Sequence, residues 1–223
     1  MKNKGYQHFV DTIIEKEPID TPIYTADVAK KMTHEFGLPM DKAKVYTNVA
    51  LKRTLEKGNT RRFVRGVYYK PIKSVFGEKP LNGDKLALQQ LMEKELGYIT
   101  GATLLNKLGL STLLPREIQV ATNKYNVKFP YQTSVTPIKP PTKVTPENIK
   151  YLQLLDAIKW MNKLSTDAVA PQALIKEIAK EWGCDHNKLI LLANKYYKAE
   201  TLSSVVEVLL GEETQHEVTQ TQK

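Results

Sequence analysis

The spacing of apolar residues predicts two helices in the first forty positions. Apolar side chains recur every three or four residues between Tyr6 and Lys16, which is typical of a helix with one buried face. The Glu17-Pro18 pair ends this helix, because proline disfavours a helical conformation at the residue before it. A second helix is predicted to begin after Thr25, a suitable N-cap residue, and to end at about Phe36, before Gly37.

A third helix and a pair of short strands follow. The helix is predicted from about Asp41 to Lys57, with Gly58 as a favourable residue at its C-terminal end. Residues that favour β structure then surround Gly66, and Pro71 closes the run, so we predict a two-stranded hairpin. Three helices followed by a basic hairpin form the layout of a winged helix-turn-helix, which we predict for residues 1–75.

Beyond this region the pattern changes to a mixture of helices and strands. After a linker from Ile72 to Gly83, a turn is predicted over residues 97–101, and Thr145-Pro146 opens a helix with proline at its first position. The other predicted helices lie at 84–96, 102–108, about 167–182, 186–198 and 201–210. The predicted strands lie at 118–122, 128–130 and 134–138, and prolines in the last two suggest edge strands.

These elements give a mainly α fold class with small β elements (α+β) and divide the chain into four predicted parts. The length of 223 residues and the hydrophobic fraction of 41% suit small globular domains. The parts are the winged helix-turn-helix at 1–75, an α+β domain at 76–165, a C-terminal helical segment at 166–210 and a disordered tail at 211–223.

The basic excess of the chain lies in its N-terminal third. The chain has a formal net charge of +9 and a pI near 9.4. Residues 1–80 carry a net +7, residues 81–150 a net +4 and residues 151–223 a net −2. Such an excess is expected of a segment that binds a polyanion. Many basic proteins bind no nucleic acid, so the interpretation depends on the architecture that carries the charge.

A winged helix-turn-helix binds DNA with its third helix in the major groove and its hairpin beside a neighbouring backbone. Asn48 is suited to an adenine edge, and the lysines of the third helix to guanine or phosphate. The hairpin arginines would supply mostly sequence-independent, salt-sensitive affinity. The predicted DNA-binding residues are Thr25, Lys42, Lys44, Asn48, Lys52, Arg53, Arg61, Arg62 and Arg65. Taken singly, each basic residue more often belongs to a solvated surface than to a DNA contact.

Two stretches of the chain resemble the AbiE-type antitoxin family, also described as type IV antitoxin-like proteins. They are KRTLEKGNTRRFVRGVYYKP, from Lys52 to Pro71, and GYITGATLLNKLGLSTLLPREIQVATNKY, from Gly97 to Tyr125. In that family a glycine ends a helix, a basic strand and an RG-V-Y-Y wing follow, and a TG-A-x-x-L-x-x-L-G-L-S-T element opens the second domain. The matching positions here are Gly58, Arg61-Arg62, Arg65 to Tyr69, and Thr100 to Thr112. The resemblance covers about residues 20–160, and the helical segment after about 165 departs from it.

The resemblance implies an antitoxin that binds the double-stranded DNA of its own promoter and represses the operon. It also implies a nucleotidyltransferase-fold toxin as functional partner, with direct contact between the two left open. A stand-alone winged-helix transcriptional regulator and a winged-helix protein-interaction module remain alternatives.

No pattern in the chain indicates catalysis or a cofactor. The sequence contains no P-loop, no G-x-G-x-x-G and no H-E-x-x-H motif, and its four histidines are scattered. Cys184 is the only cysteine, which excludes an internal disulfide and a cysteine-based zinc cluster. No stretch approaches the ~20 apolar residues of a membrane span, and the N-terminus has no secretory signal. We therefore predict a non-enzymatic, metal-free cytoplasmic protein without cofactor or membrane contact.

Overall fold

The computed structural model describes residues 2–210, in two compact units that meet between Leu86 and Ala87 along the chain. Helices predominate in both units and small sheets complete them, so the predicted mainly α class with small β elements is confirmed. The predicted tail at 211–223 lies outside the described residues.

The first unit opens with three helices, all of them predicted. They are α1 (Lys2–Lys16), α2 (Thr25–Phe36) and α3 (Met40–Glu56). Apolar side chains from all three form one core that includes Val10, Met32 and Leu51. Gly37 follows α2 in the left-handed region, with φ of 60°, so the short connection between α2 and α3 turns where glycine is favoured.

A three-stranded antiparallel sheet completes this core. Its strands are β1 (Ile23–Tyr24), β2 (Arg61–Val64) and β3 (Val67–Tyr69), in the order β1-β3-β2. Tyr68 on the central strand pairs with Ile23 on one side and with Arg62 on the other. The hairpin predicted around Gly66 is therefore confirmed, whereas β1 was not predicted.

The structure corrects the predicted role of Thr25. Because β1 pairs with β3, the chain stays extended through Tyr24, which takes the N-cap position without a side-chain hydrogen bond. Thr25 is instead the first residue of α2, and its backbone N–H donates to the Gly66 carbonyl at 2.9 Å. Its buried hydroxyl has no hydrogen-bond partner among the described residues.

A second hairpin lies where a linker was predicted. Strands β4 (Ile72–Ser74) and β5 (Gly77–Lys79) pair antiparallel, and all their side chains are exposed. The two tip residues, Val75 and Phe76, are 94% and 98% exposed. The sequence did not predict these strands because neither has the alternation of apolar and polar residues that a half-buried strand shows.

The second unit contains a three-stranded sheet among its helices. Helix α4 (Gly83–Met92) runs across the division between Leu86 and Ala87, and a single 3-10 turn (Glu93–Glu95) follows it. The next elements are β6 (Gly97–Thr100), α5 (Gly101–Lys107), β7 (Ile118–Thr122) and β8 (Val135–Ile138). Strand β7 lies in the centre, antiparallel to β6 and parallel to β8. Strand β8 is an edge strand, as its proline predicted, but the strand predicted at 128–130 is absent.

Residues 97–101, predicted as a turn, form the fully buried strand β6 and the first residue of α5. The backbone geometry favours glycine at both ends of this stretch. A Cβ atom at Gly97 would lie 2.6 Å from the Leu91 carbonyl oxygen, and Gly101 has a φ of +71°. Glycine here marks close packing and a sharp change of direction rather than a surface turn.

Four helices follow and share one core with the sheet. They are α6 (Ile149–Met161), α7 (Pro171–Glu181), α8 (His186–Tyr196) and α9 (Ala199–Leu210). Helix α6 begins after Thr145-Pro146, where the chain forms a turn instead of the predicted first helical residues. Core residues from the later helices, such as Ile175 and Val205, join Leu154 of α6 in a single cluster.

The two observed units differ from the predicted division of the chain. The predicted segment at 166–210 is not a separate part, because its helices bury their apolar faces in the same core as the predicted domain at 76–165. The first unit also extends to Leu86 rather than ending at residue 75.

A buried carboxylate joins three parts of the second unit. Asp156 is 2% exposed and accepts hydrogen bonds from Thr100 Oγ1 at 2.7 Å, Tyr197 Oη at 3.0 Å and Tyr98 Oη at 3.2 Å. Lys159 Nζ lies 3.9 Å from the same carboxylate. Burial, followed by the Asp156 charge, raises the pKa of both tyrosines above the usual range. These bonds connect β6, α6 and the residue that follows α8.

Candidate nucleic-acid interface

Helix α3 has one buried face and one face directed to solvent. Its buried residues include Ala43 and Thr54, on the side that packs against α1 and α2. At 3.6 residues per turn, positions nine residues apart lie about 180° apart around a helix. Lys52 is therefore opposite Ala43, and Val45 is opposite Thr54. The line through Val45 and Lys52 is the centre of the outward face.

The five predicted DNA-binding residues of α3 are all exposed, but they do not point in one direction. Lys44 and Arg53 are nine residues apart, so they lie on opposite flanks of the helix. Lys42 shares the flank of Arg53. Asn48 and Lys52 lie nearer the outward centre, where Lys52 Nζ is 4.0 Å from Glu56 Oε1 in a solvent-exposed pair. Such exposed pairs hold their side chains only weakly.

Two valines at the outward face were absent from the predicted site. Val45 is 58% exposed and Val49 is 45% exposed. The signal that would have found them is the helical wheel itself, because both lie on the side opposite Ala43 and Thr54. The residues predicted on this face were all polar or basic.

The three hairpin arginines differ in their surroundings. Arg62 in β2 and Arg65 at the hairpin tip are exposed, and their side chains form no ion pair or hydrogen bond with other residues in the 2–210 range. The Arg61 side chain, in contrast, forms hydrogen bonds within the first unit. Its Nε and one terminal nitrogen donate to both oxygens of Glu78, at 2.6 and 2.8 Å, and the other nitrogen donates to the Gly58 and Thr60 carbonyls. Arg61 thus connects β2 to the β4–β5 hairpin, which competes with the predicted phosphate contact.

Thr25 lies apart from this exposed set. Its hydroxyl oxygen is buried, so it is not presented to a ligand at the surface in this conformation. The structure therefore leaves seven of the nine predicted residues as exposed candidates, five on α3 and two on the hairpin.

The geometry gives no support to a catalytic cysteine. Cys184 is 8% exposed, and burial raises the pKa of its thiol more than the nearby Lys150 and Lys188 lower it. A thiol in such a setting is a poor nucleophile at neutral pH. Throughout residues 2–210, no group of three or more His, Cys, Asp and Glu side chains is arranged to hold a metal ion.

Comparisons with known proteins add no family assignment. The chain matches no protein-family model, and no curated protein matches it. None of the helices within residues 2–210 has the length and apolar character needed to cross a membrane.

Proposed function

We propose that this chain is a DNA-binding transcriptional regulator whose first unit acts as a winged helix-turn-helix. The observation that carries the proposal is the outward face of α3, which presents Lys52 on its central line, Asn48 beside that line and basic side chains on both flanks. A helix of this kind, 10–12 Å across, fits a major groove about 12 Å wide.

The order of elements supports the same proposal. Helix α2, a three-residue connection and helix α3 are followed directly by the β2–β3 hairpin, with Arg62 and Arg65 free to contact phosphates. Helix-turn-helix proteins use the second helix of such a pair for base contacts. Residues 1–80 also carry a net charge of +7 of the +9 of the whole chain, which favours a polyanionic partner.

From the sequence resemblance we propose further that the protein is an antitoxin-like repressor of its own operon, acting in the cytoplasm. Its functional partner would be a nucleotidyltransferase-fold toxin, and the second unit would carry the neutralising activity. The neighbouring gene tests this part, because a downstream nucleotidyltransferase-like gene is expected for an antitoxin and not for a stand-alone regulator.

The direct test is an anisotropy titration of the protein on the duplex upstream of its own gene and on a random duplex, at two salt concentrations. We expect tighter binding to the upstream duplex and a steep loss of affinity at the higher salt. Equal, weak and salt-insensitive binding to both duplexes would contradict the proposal and favour a protein-interaction module.

A further inference from the structure

The centre of the α3 outward face is partly apolar. Val45 and Val49 are one helical turn apart, point within about 40° of each other and are 58% and 45% exposed. Asn48 lies beside them on the same face. Valine can neither donate nor accept a hydrogen bond, so a partner that covers this line must offer apolar groups there.

Positive side chains lie on both sides of this apolar line. Lys42 and Arg53 lie about 60–80° to one side of Val45, and Lys44 lies about 100° to the other side. A major groove has the complementary arrangement, with base edges along its centre and a phosphate backbone on each side. The distribution of charge therefore points to duplex DNA as the occupant.

Among the base edges in the major groove, the one apolar group is the C5 methyl of thymine. We propose that Val45 and Val49 contact thymine methyl groups and so determine part of the sequence preference. This inference rests on the proposed DNA-binding function and adds which base the protein prefers at these contacts. An Asn48 side chain suited to adenine fits the same site, because every thymine in a duplex pairs with an adenine.

The valine and methyl contact explains why apolar residues occupy positions that would otherwise favour polar ones. Against a hydrogen-bonding base edge, a valine would leave that edge without a partner and lose affinity. Against a methyl group, both surfaces leave water together. Burial of one methyl corresponds to about a fourfold gain in affinity.

The test uses the full chain and the upstream duplex, with thymines replaced one at a time by deoxyuridine. This replacement removes the methyl group and keeps every hydrogen-bonding group of the base pair. We expect about a fourfold loss of affinity at the positions that the valines contact and no loss elsewhere. Val45→Ala and Val49→Ala should each weaken binding to the thymine duplex severalfold.

The decisive readout is the coupling between protein and DNA. At a contacted position, deoxyuridine should weaken binding of the wild type but have no further effect on the matching alanine variant. Val169→Ala, at a fully exposed valine of the second unit, is the matched control and should leave all affinities unchanged. Alanine favours helix more than valine does, so the α3 variants should keep their fold, which circular dichroism checks.

Two different failures can be distinguished. If the wild type prefers the upstream duplex but tolerates deoxyuridine at every position, the methyl contact is overturned while the DNA-binding function stands. If the wild type shows no preference for the upstream duplex over random DNA, the proposed function fails first and the inference fails with it.

Discussion

The polar groups of the two units differ in what satisfies them. On α3 and the β2–β3 hairpin, the side chains of Asn48, Arg62 and Arg65 are exposed and have no hydrogen-bond or ion-pair partner in the described chain. In the second unit, Asp156 is buried, and three hydroxyl groups and one ammonium surround it. Groups of the first kind are available to a ligand, whereas a satisfied buried group rigidifies the unit that contains it. Exposure therefore separates side chains that are available to a ligand from side chains that stabilise a unit.

The largest effect is expected from Asp156→Ala. Removing the carboxylate leaves the Tyr98, Thr100 and Tyr197 hydroxyls without their acceptor, so we expect a loss of about 3–5 kcal/mol in unfolding free energy, at about 1–3 kcal/mol for each unsatisfied group. Urea unfolding measures it, with Glu181→Ala at an exposed site as the control. At temperatures where the variant stays folded, DNA affinity should be unchanged. A stable variant, or one with selectively lost DNA binding, would break the comparison between the two units.

Alkaline pH should affect the second unit through Tyr98, which is buried, and Tyr197, which is partly buried. Their pKa values are raised from the usual 10.0, so above about pH 10 the unfolded state loses protons that the folded state keeps. Stability then falls as pH rises, by about 1.4 kcal/mol per pH unit for each tyrosine. Tyr197→Phe should remove the contribution of one tyrosine from this dependence of stability on pH. Tyr125→Phe, at an exposed site, should leave the dependence unchanged. Equal slopes in all three proteins would show that these hydroxyls are not protected.

The Asn48 side chain should affect specificity and not stability. If it contacts an adenine edge, Asn48→Ala should reduce the preference for the upstream duplex by ~1–3 kcal/mol and leave affinity for random DNA nearly unchanged. Competition titrations with both duplexes measure this preference. Equal losses on the two duplexes would remove the base-reading role and leave Asn48 as a general contact.

The smallest effects are expected from alanine substitutions of the three hairpin arginines, which should differ from one another. Arg62→Ala and Arg65→Ala should weaken binding to all duplexes alike and each lower the salt slope by about one. Arg61→Ala should instead cost about 1 kcal/mol or less of stability, because its pair with Glu78 is partly exposed, and should change the salt slope little. Glu78→Gln is the matched variant for that pair. A full unit of slope lost in Arg61→Ala would restore the phosphate contact predicted from the sequence.

The sequence predicted the local features of the first unit well. Helical spacing and Gly37 were enough to place α2 and α3, because both signals lie within the elements themselves. The exposure of Asn48 and of the α3 lysines followed from the same periodicity. The partner of Arg61 could not be predicted, because Glu78 is 17 residues away in a hairpin without an apolar pattern.

The second unit shows the same limit on a larger scale. Strand β6 lies in a sequence with glycine at both ends, and its buried character depends on Leu91, Gln119 and Thr122, which the chain brings beside it only on folding. Amphipathic patterns identified the later helices but not what their apolar faces contact. The sequence therefore could not predict that these helices and the sheet share one hydrophobic core.

The most direct test of the DNA-binding account is a titration of the upstream duplex with an α3 variant, Lys42→Ala/Asn48→Ala/Arg53→Ala. Its control, Lys107→Ala/Lys180→Ala, removes exposed lysines from the second unit. The account predicts that the α3 variant keeps its fold but binds the upstream and random duplexes with the same weak affinity, whereas the control retains the preference of the wild type. An α3 variant that still prefers the upstream duplex as strongly as the wild type would contradict the account.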